Sequence, residues 1–161
     1  MSYIYKLWKS LLSRWFSIAG AEIYMASPFL DVVRLEDVIQ IFLKHNTAGQ
    51  MNTFFTRQKC DGEKLTVEIQ KEAAANLPDK LKTLVEYKIY RRMIYPQNRF
   101  HAKFIAAVID NEAEVLVTSA NFHANHFAIN NMETVSFSKM DKERFETEFL
   151  DPISVPAVAR T

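Results

Sequence analysis

Residues 99–121 run Arg99-Phe100-His101-Ala102-Lys103-Phe104-Ile105-Ala106-Ala107-Val108-Ile109-Asp110-Asn111-Glu112-Ala113-Glu114-Val115-Leu116-Val117-Thr118-Ser119-Ala120-Asn121, and their reading decides the architecture. Residues 99–109 are apolar and β-compatible enough for a long strand, Asp110-Asn111 opens a turn, and residues 115–119 return as a second strand. The two form a hairpin. Side chains alternate faces along a strand, so His101 and Lys103 project together. Ser119 and Asn121, also two apart, can share a face on the returning strand. The hairpin then gathers an imidazole, an ammonium, a hydroxyl and a carboxamide at neighbouring strand ends. Such a set suits a phosphate: lysine supplies charge, serine and asparagine donate hydrogen bonds, and histidine can attack phosphorus or shuttle a proton.

Outward from the hairpin, strand and helix patterns alternate. Residues 22–26 are a short apolar run closed by Ser27-Pro28 and predict a buried strand. Leu35, Val38, Ile39, Phe42 and Leu43 have helical spacing, so residues 35–45 predict a helix. A second strand follows at 51–56, a turn at 60–62, an Ala- and Glu-rich helix at 64–76, a third strand at 84–91 and a loop at 96–98. After the hairpin come a strand at 132–138 and a helix at 142–150, with Phe145 and Phe149 four apart. The expected fold is α/β, a mixed β-sheet flanked by helices, in one domain over residues 1–161. Residues 1–20 are its N-terminal amphipathic helix and 151–161 a surface tail.

That first helix has Ile4, Leu7, Trp8, Leu11, Leu12, Trp15, Phe16 and Ile18 on a broad apolar face, with Lys6, Lys9 and Arg14 at polar positions. Its composition also suits an interfacial or targeting helix, but no small-residue cleavage pattern follows it, so it is read as a helix packed on the domain. No apolar run approaches the roughly 20 residues that span a bilayer. The single cysteine, Cys60, cannot form an internal disulfide, which points to a reducing compartment and a cytoplasmic placement. Net charge is +1, so total charge announces no nucleic-acid binder. Its distribution says more. Between Glu86 and Asp110 every formal charge is positive, Lys88, Arg91, Arg92, Arg99 and Lys103, with Tyr87, Tyr90, Tyr95 and Phe100 interleaved. Cations mixed with aromatics can neutralise phosphates and stack on bases.

His101-Ala102-Lys103, the downstream Asp110, Thr118-Ser119-Ala120-Asn121 and Asn131-Met132-Glu133 together resemble the signature of the phospholipase D superfamily, H-x-K, then D, then G-S-x-N, then a glutamate on the next strand. Ala26-Ser27-Pro28-Phe29 resembles that family's first strand end, so the resemblance covers most of residues 22–150. Two departures stand out. Asp110 follows Lys103 by more residues than the family's four, which makes it a turn or supporting residue, and Thr118 stands where the family prefers glycine.

The resemblance implies a metal-independent phosphodiesterase without a cofactor. One histidine attacks phosphorus to give a phosphohistidine, a second protonates the leaving oxygen, and water releases the product. The implied catalytic set is His101, Lys103, Asn121 and Glu133, with Glu133 orienting His101 and no bound metal. Ser119, Thr118 and Arg99 are expected at the substrate. The mechanism needs two H-x-K motifs and this chain has one, so a twofold homodimer is implied, as in the short endonucleases of the family. His123 and His126 lack a partner pair at metal-ligand spacing and are read as rim residues. Nucleic acid, DNA or RNA, is the expected substrate. The alternatives are a phospholipid hydrolase resting on a membrane through its first helix, and a silent dimer that binds nucleic acid or lipid.

Overall fold

The computed structural model describes residues 3–45, 48–60, 64–97, 100–119 and 134–154. In chain order the elements are α1 (Tyr3–Phe16), β1 (Glu22–Ala26), α2 (Val32–Lys44), β2 (Gln50–Phe55), β3 (Lys59–Cys60), β4 (Lys64–Leu65), α3 (Thr66–Ala73) and α4 (Asp79–Lys88). A 3-10 turn at Tyr90–Arg92 leads to β5 (Met93–Ile94), β6 (Phe104–Ile109), β7 (Glu112–Thr118), β8 (Val135–Asp141), α5 (Lys142–Phe145), a π turn at Glu146–Leu150 and α6 (Asp151–Ser154). Six strands form one mixed sheet in the order β5-β2-β1-β6-β7-β8. β1, β2 and β5 are parallel, while β6, β7 and β8 alternate antiparallel from β1 outward. The strand direction therefore switches between β1 and β6.

Alternation along the central strands builds two cores. Ile23, Met25, Phe54, Ile105, Ala107 and Leu116 face the layer of α1 to α4. Tyr24, Ala26, Phe55, Phe104, Ala106 and Val115 face α5 and α6. On that second face Phe145 meets Tyr24 and Phe104 edge-on at 5.3 and 6.1 Å and stacks on Phe149 at 5.7 Å. The phenylalanines four apart thus share one face, as their spacing predicts.

Helix α1 gives its apolar stripe to the first core: Trp8, Leu12, Trp15 and Phe16 are fully buried. The face that would rest on a membrane is already covered, which removes the support for an interfacial role. No helix among the described residues is long and apolar enough to cross a membrane. The helix is tied to the hairpin by a buried carboxylate. Glu114 accepts both arms of the Arg14 guanidinium, the longer at 2.8 Å, and the Trp15 indole N–H at 3.2 Å. The close approach of Gly49 completes this packing, since its N–H donates to Phe16 O at 2.8 Å. A Cβ at position 49 would fall 2.4 Å from the Trp15 carbonyl oxygen.

Four assignments read from sequence shift. Residues 84–91 are the end of α4 and the 3-10 turn, not a strand. Leu81, Leu84, Val85 and Ile89 follow helical spacing, Val85 and Ile89 are buried, and Asp79 sits favourably in the first turn. The helix expected over 64–76 begins at Thr66, because Lys64–Leu65 pairs with Lys59–Cys60 as a two-stranded ribbon. The strand at 99–109 starts only at Phe104. Residues 151–154 continue the last helical stretch instead of opening a tail, since Ile153 is buried in the second core.

Arg14 holds the Glu114 carboxyl below the usual carboxylate range, with the Trp15 N–H assisting against burial. A depressed carboxyl contributes stability above its unfolded value near 4.5 and loses it as pH falls through the lower folded value. Arg14→Met should cost about 1–2 kcal/mol at pH 7, Arg14 being half exposed. In urea titrations this gap from wild type should narrow as pH drops below about 4. A gap independent of pH would contradict the assignment.

Candidate active site at the carboxyl edge of the sheet

Because β6 runs against β1, the head of β6 lies beside the carboxyl ends of β1, β2 and β5. Ala26 is opposite Phe104 and Phe55, and Phe55 is opposite Ile94. The hydrogen-bonded edge continues past the strands: Ser27 N to Phe55 O at 2.9 Å, Thr56 N to Ile94 O at 3.1 Å and Thr118 N to Lys103 O at 3.0 Å. In open α/β sheets ligands settle outside such carboxyl ends, at the switch in strand direction.

His101 and Lys103 sit on this edge. Phe100, Ala102 and Phe104 all pack into the second core, so strand-like alternation persists through 100–104 although the sheet begins at Phe104. His101 and Lys103 consequently project to the other side. The imidazole is exposed, and the half-buried Lys103 donates its ammonium to the His101 carbonyl oxygen at 2.9 Å.

The hairpin register brings Thr118, not Ser119, directly across from Lys103. Thr118 is buried at 7% exposure. Ser119 lies one step beyond, where its N–H donates to Thr134 O at 3.1 Å and its Oγ accepts from Thr134 N at 2.9 Å. That clasp joins the end of β7 to Thr134, just ahead of β8. Arg99, Asn121, Glu133, His123 and His126 lie outside the described residues. Asp110 is at the opposite end of the hairpin. Asp110 and Asn111 form the two-residue turn, with φ of 50° and 66°, between the paired Ile109 and Glu112. From there to Lys103 is seven residues of extended chain, about 23 Å. Among the described residues no three His, Cys, Asp or Glu side chains group as metal ligands.

Two features of this edge were missed in the sequence. Arg57, just beyond β2, lays its guanidinium over the Phe29 ring at 4.7 Å and donates to the Phe100 carbonyl at 3.4 Å. It binds together the segments after β1, after β2 and before β6. Arg57-Gln58 follows β2 without a motif, so only the Pro28-Phe29 loop beside it hinted at a site. The basic run from Lys88 to Lys103 is also not one surface. Lys88 ends α4 and Arg91 stacks on Tyr87 at 4.4 Å, both before β5, whereas Lys103 follows it. Helix and 3-10 geometry separate what a strand would have aligned.

No protein-family model matches the chain, and no curated protein matches it in sequence. Among solved structures it is similar to a phospholipase D family member, Nuc from Salmonella typhimurium. The TM-score is 0.50 at 15% identity, over 89% of this chain and 82% of that one. It is also similar to NucT from Helicobacter pylori, with a TM-score of 0.46 at 15% identity over 95% and 92% of the two chains. The chain has a phospholipase D-like fold.

Arg57→Met should release the Phe100 carbonyl and shift the His101 imidazole NMR signals, at a stability cost of about 1 kcal/mol. Unchanged His101 signals would show that the contact does not reach the motif. Asn111→Gly should raise stability by about 0.5–1 kcal/mol, since glycine relaxes the positive-φ turn. A loss of stability in that variant would contradict the turn assignment.

Proposed function

We propose that this protein is a metal-independent phosphodiesterase, a nuclease that acts as a twofold dimer. The observation that carries this reading is the placement of His101 and Lys103. The H-x-K pair lies at the carboxyl edge of a sheet with the phospholipase D-like fold, with His101 exposed and the Lys103 ammonium bonded to the His101 carbonyl oxygen.

In the proposed reaction, His101 attacks phosphorus in line and a P–N bond forms as the leaving P–O bond breaks. The partner's His101 gives its proton to the departing oxygen, and later takes one from the water that cleaves the P–N bond. The Lys103 ammonium neutralises charge that develops on the equatorial oxygens, worth most where water is excluded. Asn121 supplies a donor to the same oxygens, and Glu133 accepts from His101 to hold its ring. Thr118, Ser119 and Arg99 contact the substrate near the scissile phosphate. Asp110, in its distant turn, has no part in the chemistry. The burial of the α1 tryptophans favours nucleic acid over a membrane lipid.

Hydrolysis of single- or double-stranded nucleic acid in EDTA should fall by at least a thousandfold in His101→Ala. Sedimentation should find a dimer. Head-group release from anionic liposomes, with no nuclease activity, would overturn the substrate class. Full activity in a strict monomer would overturn the shared site.

A further inference from the structure

The face of the sheet covered by α5 and α6 is left partly open over β1, β2 and β5. There a cleft of about 560 Å³ is lined by Tyr24, Asn52, Phe55, Tyr95, Gln97 and Ser154, among others. Its volume falls within the range of small-ligand sites. None of the described residues lining it is Asp, Glu, Lys or Arg. The lining joins aromatic, amide and hydroxyl groups to the aliphatic Ile94, Pro96, Leu150 and Ile153. At its rim Ile94 is 48% and Tyr95 37% exposed.

The wall is also built by a break in strand regularity. The β1–β2 register pairs Ile23 with Met51 but Tyr24 with Thr53, so Asn52 is an inserted residue. Met51 and Phe54 both remain in the first core, and the insertion turns the consecutive Asn52 and Thr53 into the cleft together. Their side chains are held. Thr53 Oγ1 donates to Asn52 Oδ1 at 2.8 Å, while Tyr24 Oη and Asn52 Nδ2 both donate to one Glu22 oxygen, at 3.2 and 3.3 Å. One Asn52 N–H and one lone pair stay available to a ligand.

We infer that this cleft takes an unpaired nucleobase of the substrate strand. A base needs a neutral pocket with an aromatic face for stacking and an amide edge offering donor and acceptor; Tyr95, Gln97 and Asn52 are of those kinds. The position fits as well. Tyr95 and Gln97 follow β5 at the same carboxyl edge as His101, three strands from β6, and the cleft opens on the face of the sheet opposite His101, so the strand turns around that edge between the two. The lateral part of this path is about 14 Å, or about four stacked nucleotides, and the turn around the edge adds to it. A base can enter the cleft only when unpaired, so the preferred substrate is single-stranded. This inference rests on the phosphodiesterase reading for its substrate, but its binding site stands apart from the chemistry.

The test uses the His101→Ala protein, which binds without cleaving, and a short fluorescent single-stranded oligonucleotide with an abasic residue moved along it at fixed salt. One abasic position should weaken binding about tenfold or more. In Tyr95→Ala that same abasic change should cause no further loss, and Asn52→Ala should reproduce the effect at unchanged thermal stability. Independent, multiplying losses would overturn the inference. So would hydrogen-exchange protection of the Tyr95 and Gln97 amides that appears on dimerisation without oligonucleotide, which would mean that a second copy fills the cleft. Coupling without wild-type hydrolysis keeps the cleft and sinks the phosphodiesterase; hydrolysis without coupling does the reverse.

Discussion

The antiparallel pairing of β1 with β6 is the constraint on which the site depends. Five residues of each strand pair in unbroken register from Glu22–Val108 to Ala26–Phe104, and all of these paired residues except Glu22 are buried. A one-residue slip would carry Ile105 and Ala107 into the wrong core and turn His101 and Lys103 to the opposite side. Every β6 side chain that packs therefore also specifies where the motif points. The strand order reverses at this pairing, so the loop after β1 and the head of β6 meet at the carboxyl edge of the sheet.

The second support is electrostatic. Glu114 lies on β7 in a position that alternation turns toward the helical layer, where a lone carboxylate would be costly. Arg14 and Trp15 answer it from adjacent positions at the end of α1. A bidentate guanidinium and an indole N–H fix both distance and rotation of the helix, which greasy contacts alone fix loosely. The same helix end meets Gly49, so α1, the hairpin and the start of β2 are referenced to one point. The acid is recognisable in sequence only as one of several surface-like glutamates; its burial belongs to tertiary structure.

Much of the fold was legible because its signals were local. β1 matched its apolar run from end to end, and the hairpin matched its Asp110-Asn111 turn. The failures share a cause. Residues 84–91 contain both a period-two and a period-four apolar pattern, and only the burial of Val85 and Ile89 in the first core decides for the helix. Residues 99–103 have strand composition, but no ladder partner on the β1 side extends past Ala26, because Pro28 follows. The basic stretch, expected as two strands joined by a loop, instead runs through a helix end, a 3-10 turn and a short strand before it reaches the approach to β6. Arg57 had no signature, since its meaning lies in touching Phe29 and Phe100, which are 28 and 43 residues away.

These placements separate two kinds of recognition. A phosphate is drawn by charge and held by donors, and the cations nearest the edge, Lys103 and Arg57, are each braced on backbone or an aromatic ring. The cleft over β2 and β5 has no such charge, and its polar groups are prearranged by Glu22 behind the wall. With a net charge of +1, the chain has little long-range attraction for a polyanion. On the proposed nuclease reading, affinity for a strand comes from short-range contacts, several at once, instead of a basic surface. A single H-x-K copy strengthens that requirement: one protomer presents one histidine, one lysine and one neutral cleft, and a twofold partner would double each of them along the same strand.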